Sequence, residues 1–259
     1  MRKWRPSIQW ALPVVNDPVQ LPVLYLDAQL AVVNKPAGLM VHDSALARGE
    51  SDFAADRLRA QFNRPIFLVH RLDRATSGCL LLAFDRETAS LLGKALMAGA
   101  IEKNYLAICR GWPEPVEGVI DHPLDGGPGK PLKKPASTRY GTLAKAELAQ
   151  ADARHESSRY TLLRCSPLTG RFRQIRRHLK HVSHHMIGDS SHGDGRHNRA
   201  FRMLGVHRML LHAWQLGFPH PGTGQRLWVT APLDAEFCKA LAILGLAMPE
   251  QSAAEQPGW

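Results

Sequence analysis

Short stretches of apolar residues at strand spacing make up most of this chain, and only a few segments carry the three- and four-residue spacing of a helix. Residues 21–26 and 30–34 are β-rich runs split by Asp27-Ala28-Gln29, which predicts a hairpin. Ser51-Asp52 then reads as a helix start, with Phe53, Leu58 and Phe62 at roughly helical spacing. Residues 66–69 and 79–84 are apolar strands flanking a polar insert, His70 to Gly78, so the insert is a loop presented by two strands. Asp85 is placed to cap a helix running through Leu91, Leu92 and Leu96 to Gly99, and residues 102–109 resume a strand with Lys103, Tyr105 and Ala107 on one face.

Residues 111–139 turn Gly/Pro-rich and basic, which predicts a mobile loop able to close over a ligand. A strand over 159–165, a helix over 170–182, a hairpin of 209–218 with 225–230 around Pro221-Gly222-Thr223-Gly224, and an amphipathic helix over 234–244 complete the pattern. Strands outnumber helices and are joined by short turns. The expectation is an α+β fold with a central, mainly antiparallel sheet flanked by helices and loops. Residues 1–20 read as an irregular lead-in and 246–259 as a disordered tail.

Charge sharpens this picture. The formal net charge is +10, and 23 of the 33 basic residues are arginine, whose fork matches oxyanions. The excess is concentrated: residues 157–208 hold eleven Lys or Arg against only Asp189 and Asp194, together with seven of the thirteen histidines. That is the footprint of a polyanion binder. There is no run long and apolar enough for a membrane span and no secretory leader, so a cytoplasmic protein with no membrane partner is expected. The four cysteines lack metal-ligand spacing and read as reduced, buried thiols. The histidines between 178 and 197 come with no carboxylate pattern of a metal site, so no metal is expected.

On a wheel of residues 170–182, Phe172, Ile175, Leu179 and Val182 fall in one sector of about 80° and Arg173, Arg176, Arg177 and Lys180 in another of about 100°. Arg176 lies at the edge of the basic sector nearest the apolar one, and so is aimed at a partly buried partner. The loop around Asp73 offers one. By composition alone, however, an Asp between Arg71 and Arg74 suits a structural ion pair or a turn cap as well as it suits a catalyst.

The ordered motifs go further. His70-Arg71-Leu72-Asp73-Arg74-Ala75-Thr76-Ser77-Gly78 with the leucines after it resembles the HRLD-x-x-TSG signature of the RluA family of pseudouridine synthases. Asn34-Lys35-Pro36-Ala37-Gly38 with Val41-His42, Lys103-Asn104-Tyr105-Leu106-Ala107, Thr169-Gly170-Arg171 leading to Gln174-Ile175-Arg176-Arg177-His178, Ile187-Gly188-Asp189, and Leu210-Leu211-His212-Ala213 are similar to further blocks of that family, in order. Within it the chain looks most like the TruC branch, which modifies uridine 65 of tRNA. Arg173 departs from the His of many members, and His185 from the usual Pro.

The resemblance implies one catalytic domain over residues 21–245, with two sub-regions and no S4-type RNA-binding domain, acting as a monomer on RNA, tRNA foremost, without a cofactor. It assigns Asp73 as the carboxylate that attacks C6 or C1′ of the nucleoside or steadies the sugar cation, Arg176 as its ionic partner, and Tyr105 as a ring stacked on the uracil. Ile175 and Leu211 become apolar walls. Arg71 is expected to fill the space left by a flipped base, and Arg173, Arg177, Arg199, Lys133 and Lys134 to hold phosphates. A glycosidase would need a second acid beside Asp73, which the motif does not supply.

Overall fold

The computed structural model describes residues 20–43, 51–149 and 156–248. Along them run β1 (Val23–Leu26), β2 (Leu30–Lys35), α1 (Ala54–Phe62), β3 (Phe67–Leu68), β4 (Ser77–Ala83), α2 (Arg86–Met97), β5 (Glu102–Arg110), β6 (Glu117–Asp121), β7 (Ser137–Leu148), β8 (Ser158–Pro167), α3 (Gln174–His181), α4 (Gly195–Met203), β9 (Leu211–Pro219), β10 (Arg226–Thr230) and α5 (Ala235–Ile243). Ten strands form one sheet in the order β1-β2-β4-β9-β5-β8-β7-β6, with β10 on β9 and β3 on β4. Every pairing but β4–β9 is antiparallel, as the alternating pattern and short turns predicted. The expected lead-in and tail lie outside the described residues, except for Gln20 and residues 246–248.

The predicted caps form where the side chains can reach the first turn. Asp85 accepts from the Thr88 amide at 2.7 Å and opens α2, and Asp234 accepts from the Phe237 amide at 3.0 Å and opens α5. The start predicted at Ser51-Asp52 moves to Ala54, because Asp52 turns instead to Arg57. Residues 111–139 are not one long loop. They contain β6, which pairs with β7 from Glu117↔Gly141 to Asp121↔Ser137, and a bridge between Leu124 and Lys134. The glycines and prolines there serve tight turns between paired backbone. Helix α4 is not predicted by the pattern, because its sequence opens on the polar run Gly195-Arg196-His197-Asn198-Arg199 and the whole helix buries only His197 and Phe201.

Alternate residues of the central strands feed opposite sides. Tyr105, Ala107 and Cys109 of β5 join Leu163 and Cys165 of β8, Leu211 and Ala213 of β9, and Ile175 and Leu179 of α3. Leu106 and Ile108 of β5 point the other way, toward Phe201 of α4 and Phe237, Ala240 and Leu241 of α5. Strand β4 is buried along its whole length. At about 2 kcal/mol per fully buried leucine, its Leu80-Leu81-Leu82 run is a rigid base for the loop that precedes it.

The parallel contact between β4 and β9 positions that loop. Ser77 and Gly78 pair with His212 and Ala213, and the backbones come so close that a Cβ on Gly78 would stand 2.2 Å from the Ala213 oxygen. Gly78 also has φ +108, in the region glycine alone enters freely. His212, fully buried, faces the Ala231 carbonyl with Nε2 at 3.1 Å, so Nε2 carries the proton and Nδ1 accepts from Ser77 Oγ at 2.7 Å. Arg208 Nη1 donates to the same Ser77 oxygen at 2.9 Å.

Gly78→Ala is expected to cost at least about 2 kcal/mol of unfolding free energy in a urea titration, from the added clash and the left-handed backbone together. Burial, helped by the Arg208 charge, pushes the His212 imidazole down to about 4, from an ordinary 6.5. The unfolded chain therefore takes up a proton that the fold refuses. Stability is complete above about pH 6.5 and declines as the pH falls toward 4. A denaturation series from pH 7 to pH 5 checks this, and a flat series in which His212 gains a proton while folded contradicts it.

Candidate active site

A cleft of about 530 Å³ opens on the α3 side of the sheet, lined by the loop before β4, the end of α2, β5 and the turn leading into α3. Asp73, Tyr105, Arg176, Arg71, Arg173, Ile175 and Leu211 all border it. These residues come from four separated parts of the chain.

The Asp73 loop is anchored on both flanks. Behind it, the Ser77–His212–Arg208 contacts tie it to β9. In front, Gly38 N donates to the Arg74 carbonyl at 2.8 Å, and Arg74 Nε donates back to the Gly38 carbonyl at 3.0 Å. Beneath lies Lys35, fully buried, whose ammonium donates to the carbonyls of Pro36 and Leu39, each at 2.8 Å, and of Arg74 at 3.2 Å. Burial, with the charge of Arg208, brings this lysine down to about 7, while Asp73 works in the opposite direction. The predicted Asn34-Lys35-Pro36 segment is thus the seat of the loop.

Arg176 projects from α3 into the cleft floor and is only 6% exposed. Its fork is divided. Nε and Nη2 meet the two oxygens of Asp189 at 2.7 and 2.8 Å, and Nη1 meets Asp73 Oδ2 at 2.9 Å. Asp189 also accepts from the amides of Ser191 and His192, both at 2.9 Å. Burial alone would raise the Asp189 carboxyl, but Arg176 and these amides hold it below the usual range. Burial likewise works against the Arg176 charge and is outweighed by Asp189 and Asp73. The Asp73 side chain keeps 28% of its surface open to the cleft. An anchored carboxylate with one open flank, beside a fully committed guanidinium, can meet an electron-poor carbon without losing its ionic partner.

Helix α3 is shorter than the periodicity predicted. Arg173 sits before it with φ 51, and Gln174, not Gly170, is its first residue. The Gln174 amide fixes the turn: its oxygen accepts from Thr169 Oγ1 at 2.7 Å and from the Arg171 amide at 2.9 Å, and its nitrogen donates to the Ser137 carbonyl at 2.9 Å. Phe172 and Arg173 therefore leave the helical wheel, while Arg176 keeps the inward edge assigned to it. His178 faces the His122 carbonyl with Nε2 at 3.0 Å and takes a hydrogen bond from Thr138 on Nδ1 at 2.9 Å. It braces α3 against β7.

Tyr105 lies on the cleft floor from β5. Burial, reinforced by the charge of Asp73, raises its hydroxyl far above the ordinary value, so the ring is presented as a neutral phenol. Ile175 and Leu211, both buried, form apolar surface beside it. Arg71 is exposed at the rim, and Arg173 reaches Ser191 Oγ at 3.3 Å while lying over the Phe172 ring.

The other residues expected to hold phosphates do not gather at the cleft. Arg177 is paired with Asp125 at 2.8 Å and also donates to the Asp125 carbonyl. Lys133 and Lys134 are exposed on the segment between β6 and β7. Arg199 is on α4, which packs against the opposite face of the sheet. The histidines disperse too: His181 stacks on His122, His184 faces the Arg110 carbonyl, and His197 bonds Tyr160. Among the described residues no group of three His, Cys, Asp or Glu is arranged to hold a metal ion.

Asp189 has no role in the sequence reading, yet it carries the geometry. Its signal is visible in retrospect: it is one of only two acids within the basic stretch 157–208, and it follows a glycine. Gly188 has φ +79, and a Cβ there would stand 2.0 Å from the Arg208 carbonyl oxygen. Asn198 of α4 then clasps the turn, accepting from the Gly188 amide at 2.7 Å and donating to the Asp189 carbonyl at 2.9 Å.

Comparison with known proteins places this arrangement. Residues 29–181 match the model of the RNA pseudouridylate synthase family. The tRNA pseudouridine synthase C of Vibrio parahaemolyticus is 42% identical, covering 84% of this chain and 92% of that protein, and the tRNA pseudouridine synthase C of Salmonella typhimurium is 41% identical, covering 87% and 90%. The solved structure of human RNA pseudouridylate synthase domain containing 4 superposes with a TM-score of 0.69 at 26% identity, covering 88% of this chain and 95% of that one. Human RNA pseudouridylate synthase domain containing 1 shares the fold, with a TM-score of 0.64 at 21% identity over 92% of this chain and 100% of that one. A match spanning the Asp73 loop, the Tyr105 strand and the Arg176 helix makes this chain a member of the RNA pseudouridylate synthase family, an isomerase that acts on RNA.

Proposed function

We propose that the protein converts a uridine of tRNA, uridine 65, to pseudouridine, with Asp73 as the carboxylate that acts on the nucleoside. The observation that carries the mechanism is the shared guanidinium of Arg176, which pairs with Asp73 at 2.9 Å from an enclosed floor and aims it into the cleft. The substrate follows from the relatives named tRNA pseudouridine synthase C, which match most of this chain at about two identities in five residues.

The reaction breaks N1–C1′, turns the uracil and rejoins it through C5, so no electrons are exchanged with a cofactor. Asp73 attacks C6 or C1′ while Tyr105 stacks on the base between Ile175 and Leu211. As a neutral phenol, Tyr105 contributes its ring first; taking the C5 proton requires that bound RNA change its surroundings. The uridine must leave its stack to reach Asp73, at a cost of a few kcal/mol. Arg71, exposed at the rim, fills the vacated position, and Arg173 holds the adjacent backbone. Lys133, Lys134, Arg177 and Arg199 belong to a wider field that draws the polyanion in rather than to the cleft. Residues 21–245 act as one catalytic unit because a single sheet joins both walls of the cleft. The buried thiols of Cys79 and Cys165, both pushed up to about 12 by burial, suit a chain that works in the reducing cytoplasm.

Incubation of the protein with tRNA tritiated at uracil C5 is expected to release tritium, and mapping is expected to place the product at position 65. Absence of release from a folded protein refutes the reading, and release from ribosomal RNA alone moves the substrate. Asp73→Asn is expected to abolish release while leaving tRNA affinity within about threefold, because a neutral isostere keeps the cleft's shape. Asp189→Asn removes one side of a buried ion pair. Unfolding free energy is expected to fall by on the order of 3 kcal/mol, and the single-turnover rate by more than tenfold with affinity little changed. Unaltered turnover in that variant would show that Asp189 does not position Arg176.

A further inference from the structure

Among the described residues two cations of the cleft have no hydrogen-bond or ion-pair partner, Arg71, which is exposed at the rim, and Lys103, which is not. Lys103, on β5, lines the cleft beside the end of α2 and is half-buried, yet it makes no hydrogen bond or ion pair with any described residue. Its neighbours are all engaged: Glu102 pairs with Arg226, and Asn104 bonds Gln215 at 3.4 Å and accepts from Ser166 at 2.7 Å. The arginines of α3 and of the turn before it differ from Lys103. Arg176 is divided between two carboxylates, Arg171 donates to the Pro135 carbonyl at 3.0 Å, and Arg173 to Ser191. A half-buried ammonium that has given up hydration and gained no protein partner gains most from a bound anion.

Its position limits what that anion can be. Lys103 and Tyr105 are two residues apart on one strand and face the same way, a separation of about 6.7 Å. Asp73 acts electrostatically on Tyr105 and on Lys35, whereas on Lys103 burial alone registers and lowers its basicity. Lys103 lines the cleft together with Leu96 and Met97 at the end of α2, where Met97 is 83% exposed. His70, beside it, is kept neutral, pushed down to about 4 by burial and by Lys103 itself, so Lys103 supplies the positive charge on this side of the cleft interior. A uridine stacked on Tyr105 carries phosphates on either side of its sugar, and Lys103 is the cation next to Tyr105 on the same strand face.

We propose that Lys103 Nζ binds a phosphate flanking the flipped uridine, so that the nucleotide is held by its backbone on the β5 wall while Asp73 and Arg176 engage it from the opposite side. This rests on the reading of the cleft as the pseudouridylation site. The phosphate neutralises an ammonium that the free protein leaves uncompensated. The contact thereby acts in binding and leaves the chemical step to Asp73.

The test is filter binding of a tRNA transcript over a salt series, with single-turnover tritium release at saturating protein, for wild type, Lys103→Met, Lys103→Gln and Lys103→Arg. Loss of the contact is expected to weaken affinity about tenfold in the Met and Gln variants and to make the log–log salt slope shallower by about 0.7–0.9, the share of one phosphate. Release at saturation is expected to stay within about twofold, and the Arg variant to keep both affinity and slope. Two neutral variants guard against one that fails to fold. Unchanged affinity and slope in a folded Met or Gln protein overturn the proposal. A fall in saturated rate with affinity intact also overturns it, because it puts the ammonium on the base. Should wild type release no tritium while the binding pattern holds, the activity is refuted and the phosphate contact survives.

Discussion

Everything in the cleft depends on keeping one guanidinium charged inside the protein. Arg176 has surrendered nearly all its water, and a buried cation is tolerated only when every donor finds an acceptor with the right charge. Asp189 takes two donors and is itself saturated by two amides, so it behaves as a fixed counter-charge. What remains of the fork is offered to Asp73. Because one carboxylate is enclosed and the other partly open, the arrangement has a direction: the enclosed pair is structure, and the open carboxylate is available to a substrate. An arginine facing two equally exposed acids would have no such asymmetry.

The demands of that charge explain features that look unrelated. Glycine at 188 lets the Gly188-Asp189 turn press against the Arg208 backbone, which is how a carboxylate reaches the floor from a segment hydrogen-bonded between Ile108 of β5 and Leu210. Asn198 holds that turn from α4, on the far side of the sheet. Gln174 and His178 spend their polar atoms on the strand and turn residues around α3, so the helix carrying Arg176 is fastened to β7 and to the turn before it. Arg208 and His212 do the same for the Asp73 loop. Asp73 and its ionic partner are therefore supported from opposite faces of one sheet.

Much of this was legible in the sequence, and the failures have physical causes. Strand alternation located the hairpins and β5, and side chains able to reach a first turn located α2 and α5. The inward edge of α3 found Arg176 from its angle alone. Resemblance, rather than pattern, singled out Asp73, since an Asp among arginines is chemically ambiguous. The wheel failed at Phe172 and Arg173 because Gln174 spends its amide on a turn, a choice that periodicity does not express. β6 was hidden by glycines and prolines that serve its flanking turns, and α4 by a polar face that buries two side chains. The basic composition was read as a single patch, but an uncompensated charge total cannot distinguish Arg177, committed to Asp125, from Lys103, committed to nothing. Only pairing in three dimensions separates them.

The parallel contact of β4 with β9 has a kinetic meaning as well. Ser77 and His212 are 135 positions apart, so the loop bearing Asp73 is clamped only after nearly the whole intervening chain has been organised. Closing so long a segment costs conformational entropy before any contact returns it, which makes this junction a late event in folding. Hairpins such as β1–β2 and β9–β10 can form early and locally without creating a site. A chain still emerging from the ribosome, lacking β9, would hold its aspartate in an unclamped loop. Competence to modify RNA thus coincides with completion of the sheet, and a half-made protein has no clamped site with which to act on RNA.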